Sequence, residues 1–539
     1  MEDLNQLRPN PARKRASTPR SKTGCVTCKI RRLKCGEERP SCYRCVKSGW
    51  HCDGYDHVNT LSASNDGAMA SLLPRTPSLS PSPTRSLIEP AMLLLLDDQE
   101  QYYFQNCGEE LAGQMQGHDV FFWQGIALQE SITTFSVRHG MVAIGALKKS
   151  AVRRSGRYQM DETPGPHREF ALQQYHKAIH SLRESIPNLE DEKAARSTLV
   201  ACMVLAIFDD FIGHRAFALQ HLRYAREILL KSNILLPNPT IRGDQENERL
   251  ASIFLRLDMQ ALFAMGIDEH RTCIPLHPHS PTFSLPNRLS SFDEARNLIS
   301  LVVWEGSRFF YHTMKYQLLP RNQVPPAVCR LRDYLVNRLY DLIQLLADMK
   351  DERPGTTFHP LLRVESLALH PTMLLIRLIP SLGAPETACD VLLPQFNYLL
   401  NLSREIINFE ARENPSGIGI ETYSSEVRTV SPLLLVATKC RIAVLRREAI
   451  SLLLHSHRRE WMYDSLLSAQ IGEWMMSIEE EGIDITGYIP EHSRAWGESV
   501  ELDFLEGQSR KAKIRCRQNF RSRVSGKIEW RLREKHISW

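Results

Sequence analysis

Six cysteines between residues 25 and 52 are spaced for one kind of chemistry, the gripping of metal ions by thiolates. The run reads Cys25-Val-Thr-Cys28, six residues, Cys35, six residues, Cys42-Tyr-Arg-Cys45, six residues, Cys52, so one C-x2-C-x6-C unit is written twice. A thiolate pair two residues apart across a turn pinches one zinc ion, which takes four tetrahedral ligands at about 2.3 Å from sulfur. Two such ions need eight ligand positions, and six sulfurs supply eight only where two of them bridge. The duplicated spacing suggests the first cysteine of each half, Cys25 and Cys42, as those bridges. A disulfide framework and scattered buried thiols are the other two readings. The absence of an apolar signal core at the N-terminus argues against the first, and the regularity of the spacing against the second.

The residues between these ligands are basic: Lys29-Ile-Arg31-Arg32-Leu-Lys34 lies inside the first half, and Arg44 inside the second. An arginine fork donates two hydrogen bonds to guanine O6 and N7, a pairing worth about 1–3 kcal/mol of discrimination. With Gly24 before the first cysteine, Arg39-Pro40-Ser41 before Cys42 and Cys52-Asp-Gly-Tyr55 at the close, the run resembles the DNA-binding module of the fungal binuclear zinc-cluster transcription regulators. The resemblance implies two zinc ions held by Cys25, Cys28, Cys35, Cys42, Cys45 and Cys52, with each half a short helix followed by an extended strand. By position it puts base contacts on Arg31 and Arg32 and phosphate contacts on Lys29, Lys34 and Arg44. It also implies a cis bond before Pro40, entry of the first helix into the major groove and reading of a CGG triplet. Many members of that family continue into a short coiled coil that fixes dimer spacing. Residues 53–90 carry no apolar heptads, so dimerisation by that route is not expected here.

A chain of 539 residues exceeds one core and implies two or three domains. Its net charge of +5 hides an uneven distribution. Residues 11–52 hold twelve Lys/Arg against Glu37 and Glu38, and residues 509–539 hold eleven against two acids, whereas residues 53–508 carry a net −13. Two zincs and six thiolates together lower the charge around the cluster to about +8. A basic head points to polyanion binding through phosphate neutralisation and counterion release. Arg13-Lys14-Arg15 with Arg20 and Lys22 reads as a nuclear import signal or an arm lying on phosphates. The other seven cysteines (Cys107, Cys202, Cys273, Cys329, Cys389, Cys440 and Cys516) lack paired spacing and read as reduced, mostly buried thiols of an intracellular protein. The run Leu199 to Phe208 is too short to span a membrane, which takes about 20 apolar residues.

In chain order, residues 1–23 read as a disordered basic arm, 24–55 as the cluster module and 56–90 as a linker. The Ser/Thr/Pro-rich composition of the linker cannot bury enough apolar surface to offset its ordering entropy. Residues 91–508 read as a mainly all-α body of stacked helix hairpins, and 509–539 as a basic β-hairpin packed on it. Phe121-Phe122-Trp123 opens an apolar-periodic stretch to Leu147, and Leu331, Leu335, Leu339, Leu342 and Leu346 make a one-sided stripe. Val137 to Leu147 and the Phe170 to Tyr175 pattern resemble the large C-terminal domain of ascomycete zinc-cluster regulators. Ser431-Pro432 predicts a capped start for a helix to about Leu454. In the tail, alternation on both sides of Ser525-Gly526 predicts two strands. Their apolar even-numbered residues should rest on the body and their basic odd-numbered ones face solvent.

No enzyme is indicated. Gly417-Ile-Gly419 lacks the third glycine and preceding strand of a dinucleotide site, and Cys273, His277 and His279 lack a fourth metal ligand. Asp209-Asp210 reads as a solvated turn rather than an acid pair, and His455 and His457 as surface histidines. The leading reading is a nuclear, sequence-specific transcription regulator that binds double-stranded DNA. Its helical body would sense a ligand or bind coregulators, and a metabolic or secondary-metabolite gene cluster is a candidate target. The alternative is a chromatin or corepressor scaffold binding nucleic acid without sequence preference, and an enzyme tethered to DNA stands behind both.

Overall fold

The computed structural model describes residues 24–52 with interruptions at 26, 29–30, 32, 40 and 49–51. It then describes 96–114, 122–150, 153–154, 157–158, 165–185, 191–231, 245–265, 285–349 except 318, 364–413, 422–502 except 426, and 511–539 except 523. The chain separates into two compact units, Met1–Leu87 and Ile88–Trp539. Expectations for the arm, the linker, Cys273, His277, His279 and the Gly417 to Gly419 stretch fall outside the described residues.

The first unit contains one short helix, α1 (Tyr43–Lys47), among its described residues, plus a helical turn at Thr27 and Cys28. The second unit is a helical body. Its helices are α2 (Asp98–Gln114), α3 (Leu128–Thr133), α4 (Phe135–Ser150), α5 (Pro166–Ser185), α6 (Glu192–Ile212), α7 (Arg215–Lys231), α8 (Gln245–Met265) and α9 (Phe292–Gln317). There follow α10 (Pro326–Ala347), α11 (Leu369–Leu378), α12 (Leu393–Glu413), α13 (Val430–Lys439), α14 (Ala443–Ser456) and α15 (Ser465–Glu480). Sequential helices pack on one another, α4 on α5, α6 on α7 and α13 on α14, as expected of stacked hairpins. None of the described helices is long and apolar enough to cross a membrane.

Local chemistry sets the helix ends. Asp191 caps α6 by accepting from the Ala194 N–H, and Gly213 closes it at φ +98°, a left-handed conformation that glycine adopts without Cβ strain. Between these caps α6 is buried on most sides, as its apolar run requires. Gly145 lets α4 approach α2, because a Cβ there would lie 2.1 Å from the Tyr103 carbonyl oxygen. Leu335, Leu339, Leu342 and Leu346 of α10 are buried as the stripe predicts, while Leu331 stays exposed.

Two helical expectations are corrected. The segment after Thr429 forms two helices broken at Cys440–Ile442. The Arg446 side chain donates to the Ala437 carbonyl at 2.6 Å and Arg441 to the Lys439 carbonyl at 2.7 Å, taking acceptors a continuous helix would need. Nor does Ser431 cap α13. Buried Glu460 does so from a distant strand, accepting from the N–H groups of Arg428, Thr429 and Val430. Asp209 and Asp210 are a third correction, being fully buried. Tyr175 donates to Asp209 at 2.8 Å and Tyr423 to Asp210 at 3.0 Å, so the pair ties the end of α6 to α5 and to the strand at Thr422–Ser424. Burial raises the Asp210 carboxyl above its usual range.

Among the described residues, three small sheets complete the body. β1 (Arg153–Arg154) pairs with β2 (Arg157–Tyr158). β3 (Thr422–Ser424) runs parallel to β4 (Arg458–Glu460), which pairs antiparallel with β5 (Tyr463–Asp464). The third sheet has the order β6 (Ala495–Leu502), β7 (Lys511–Arg521), β8 (Ile528–Ser538), all antiparallel. The predicted hairpin is therefore present, as β7 and β8, but it has a third strand. Ala512, Ile514 and Cys516 of β7 pack on Leu467, Ile471, Trp474, Met475 and Ile478 of α15, as expected. The expectation for β8 is overturned. Ile514 pairs with Lys535 and Cys516 with Arg533, so even positions of β7 oppose odd positions of β8. Directly opposed residues share a face, which turns Ile528, Trp530 and Leu532 away from α15 and leaves them 51%, 54% and 51% exposed.

Candidate metal centre and DNA-contact residues

All six cysteines of the module are buried and their sulfurs lie together. Cys25 and Cys42 Sγ are 3.6 Å apart, Cys25 and Cys45 3.8 Å, Cys28 and Cys42 3.6 Å, and Cys28 and Cys45 3.7 Å. Two quartets have their sulfurs mutually within 4.8 Å: Cys25, Cys28, Cys35 and Cys42, and Cys25, Cys42, Cys45 and Cys52. They share Cys25 and Cys42, the pair that the spacing singles out as bridges.

The chain repeats its hydrogen bonds along with its spacing. Cys28 N–H donates to Cys25 Sγ at 3.4 Å, and Cys45 N–H to Cys42 Sγ at 3.3 Å. Cys25 N–H donates to Cys35 Sγ at 3.2 Å, and Cys42 N–H to Cys52 Sγ at 3.3 Å. Each bond recurs seventeen residues later, the sequence offset of the two halves. Amide donors aimed at sulfur stabilise thiolate, the form that ligates metal. At Cys42, the N-cap of α1, burial is outweighed by the Cys45 N–H and the neighbouring thiols, which bring the group down to about 6. Burial pushes Cys25, Cys28 and Cys45 up, so neutral thiols would crowd a dry site there. A soft, all-sulfur donor set in two overlapping quartets suits two tetrahedral zinc ions.

The basic residues divide. Lys29, Arg32 and Pro40 lie outside the described residues. Arg31 donates from Nη1 to Ser48 Oγ at 3.0 Å, joining the first half to the end of α1 in the second. Arg44 donates from Nη1 to the Lys34 carbonyl at 3.0 Å, joining the halves a second time. Lys34 and Arg44 are exposed, and Arg31 is half-buried. The structure thus brings Arg31, Lys34 and Arg44 to the module's surface. Sequence reasoning missed Ser48, which holds Arg31 and donates to the Arg44 carbonyl at 2.6 Å, and Glu38, which accepts from the Tyr43 N–H at 2.9 Å. A serine and a glutamate outside the cysteine pattern carry no signal that would have marked them.

The chain matches two family models: the fungal Zn(2)-Cys(6) binuclear cluster domain over residues 23–60, and the fungal specific transcription factor domain over residues 118–377. The second covers α3 to α11 of the body. Among curated proteins it is similar to the aspercryptin biosynthesis cluster-specific transcription regulator atnN of Emericella nidulans, 27% identical over 260 residues, which are 45% of this chain and 40% of that one. Transcription regulator lscL of Purpureocillium lilacinum is 26% identical over 209 residues, 36% of this chain and 45% of that one. Transcriptional regulatory protein moc3 of Schizosaccharomyces pombe is 42% identical over 69 residues, 12% of this chain and 13% of that one. The chain spans less than half the length of each of these relatives. No solved structure matches.

Proposed function

From the premise that the chain belongs to the fungal Zn(2)-Cys(6) transcription regulators, we propose that it is a nuclear, sequence-specific regulator that reads CGG-type triplets in duplex DNA. The observation carrying this reading is the pair of sulfur quartets sharing Cys25 and Cys42, flanked by Arg31, Lys34 and Arg44. Cys25, Cys28, Cys35, Cys42, Cys45 and Cys52 hold the two zinc ions, which supply rigidity to a module too short for a core of its own. The cysteine backbone amides orient the sulfurs, and the Arg31–Ser48 and Arg44–Lys34 bonds lock the halves together. On DNA, Arg31 and Arg32 face base edges while Lys29, Lys34 and Arg44 neutralise phosphates.

In this reading residues 24–55 bind DNA, 1–23 and 56–90 serve as arm and linker, and 91–508 with the 509–539 strands form the part that meets coregulators. Both matched models are transcription-factor domains, which supports a role without catalysis. The relative's description as regulator of a biosynthesis cluster supports a comparable class of target, the genes of a metabolic or secondary-metabolite cluster. The deciding experiment is selection of bound duplexes from random DNA by the full chain loaded with zinc. Enrichment of one CGG-containing motif is the expected result. Tight binding with no enriched motif would replace the regulator by a scaffold that holds nucleic acid without sequence preference.

A further inference from the structure

We propose that strand β8 is a docking edge for an extended acidic, apolar segment of a partner protein, which adds to the C-terminal sheet as a fourth strand. This goes beyond DNA reading and does not rest on it.

Strand β8 is eleven residues long and lies at the margin of its sheet, with no described strand on its outer side. Its outward backbone groups therefore form a row of donors and acceptors of the kind a strand can join. The register places Ile528, Trp530 and Leu532 on the sheet face turned from α15, beside Arg517, Asn519 and Arg521 of β7. There the Arg517 guanidinium lies 5.5 Å from the Trp496 ring centroid and 5.2 Å from that of Trp530. Neither Arg517 nor Arg521 has a carboxylate partner among the described residues. That face thus offers half-exposed apolar side chains along the edge strand, while the other face of β8 carries Arg531, Arg533 and Lys535.

The chemistry selects among occupants. A second copy of this chain is disfavoured, because antiparallel self-pairing sets the stretch Arg531, Arg533 and Lys535 against itself. Nucleic acid is disfavoured because two central cations of this face are neutralised. Lys513 pairs with Glu534 at 2.8 Å, and Arg515 with Glu501 at 2.9 Å and Glu534 at 2.7 Å. A phosphate track would be interrupted between Lys511 and Arg517, and would find Arg517 and Arg521 flanked by Leu532 and Ile528, which phosphates do not wet. A peptide alternating apolar and acidic residues matches both features. Its apolar side chains cover Trp530 and Leu532, its carboxylates fall by the same alternation on the other face beside Arg531, Arg533 and Lys535, and its backbone pairs along β8.

The test uses the full zinc-loaded chain and a short fluorescein-labelled peptide alternating valine and glutamate, with valine–lysine and alternately N-methylated valine–glutamate peptides beside it. Fluorescence anisotropy should show binding of the first and loss of at least about tenfold in affinity with either of the others. Trp530→Ala and Lys535→Glu should each weaken the first peptide several-fold while the chain keeps its melting temperature. Equal binding of the N-methylated peptide would overturn the edge, and equal binding of the lysine peptide would overturn the acidic partner. Displacement of the peptide by single-stranded DNA, with weaker DNA binding by Trp530→Ala, would make the face a nucleic-acid surface instead. Should either variant melt early, the three peptides compared on the unaltered chain still decide the matter.

Discussion

In the cysteine module the buried side chains among the described residues are the six cysteines and Thr27, whereas the helical body buries whole faces of leucine, valine and phenylalanine. The body also buries charge. Glu479 accepts from Arg446 at 2.6 Å, Arg441 at 2.8 Å and the Ala495 N–H at 2.7 Å, all away from water. Among its described residues the module concentrates its core in atoms that prefer metal to one another, while the body surrounds buried Glu479 with partners. One region is therefore as stable as its ligand, and the other as stable as its packing.

Zinc removal should separate the two most sharply. Structural zinc contributes about 10–16 kcal/mol of apparent folding free energy in small modules. Chelation should erase the dispersed amide signals of residues 24–52 in the NMR spectrum and leave the body's calorimetric melt in place. A body that melts with the module would break the comparison.

Truncation after Gln508 should act in the opposite sense. It strips Ala512, Ile514, Cys516 and Ile537 from α15, a loss of about 4–8 kcal/mol by apolar burial. The midpoint of denaturant unfolding should fall while two zincs remain by elemental analysis. The salt dependence of DNA binding should stay nearly unchanged.

Glu479→Ala should cost the body about 3–5 kcal/mol, because it leaves buried Arg446 without its carboxylate and Arg441 with Glu386 alone. Acid should mimic it in part. Burial alone would raise Glu479, but Arg441, Arg446 and the Ala495 N–H outweigh that and hold it below the usual carboxylate range. A carboxyl depressed in the fold contributes stability above its unfolded value near 4.5, and that stability is lost as pH falls through the folded value. Urea midpoints between pH 7 and pH 3 should therefore fall less steeply in Glu479→Ala than in the unaltered chain.

The smallest effect is expected at Arg31. Arg31→Ala should weaken binding to the selected duplex by about 1–3 kcal/mol and relax preference at one guanine. A uniform loss across all sequences would instead make Arg31 a brace that acts only through Ser48.

The sequence by itself determined the cysteine module, because its spacing is local. Ligands within a few residues of one another must converge, and a duplicated unit repeats its hydrogen bonds whatever surrounds it. It also determined the helical class, since the stripes of α6 and α10 are statements about one helix and its buried side. What only the tertiary structure decided are pairings between distant residues. Glu460 caps α13 from thirty residues away, which displaces the cap that Ser431-Pro432 suggests locally. Asp209 and Asp210 are buried because Tyr175 and Tyr423 come to meet them, and nothing near them in the chain announces it. The clearest case is β8, whose alternation matches that of β7 residue for residue. Period two says that apolar side chains share a face, but the register with β7 decides which face. Pairing even positions with odd ones sends Trp530 and Leu532 to solvent while Ile514 and Cys516 enter the core.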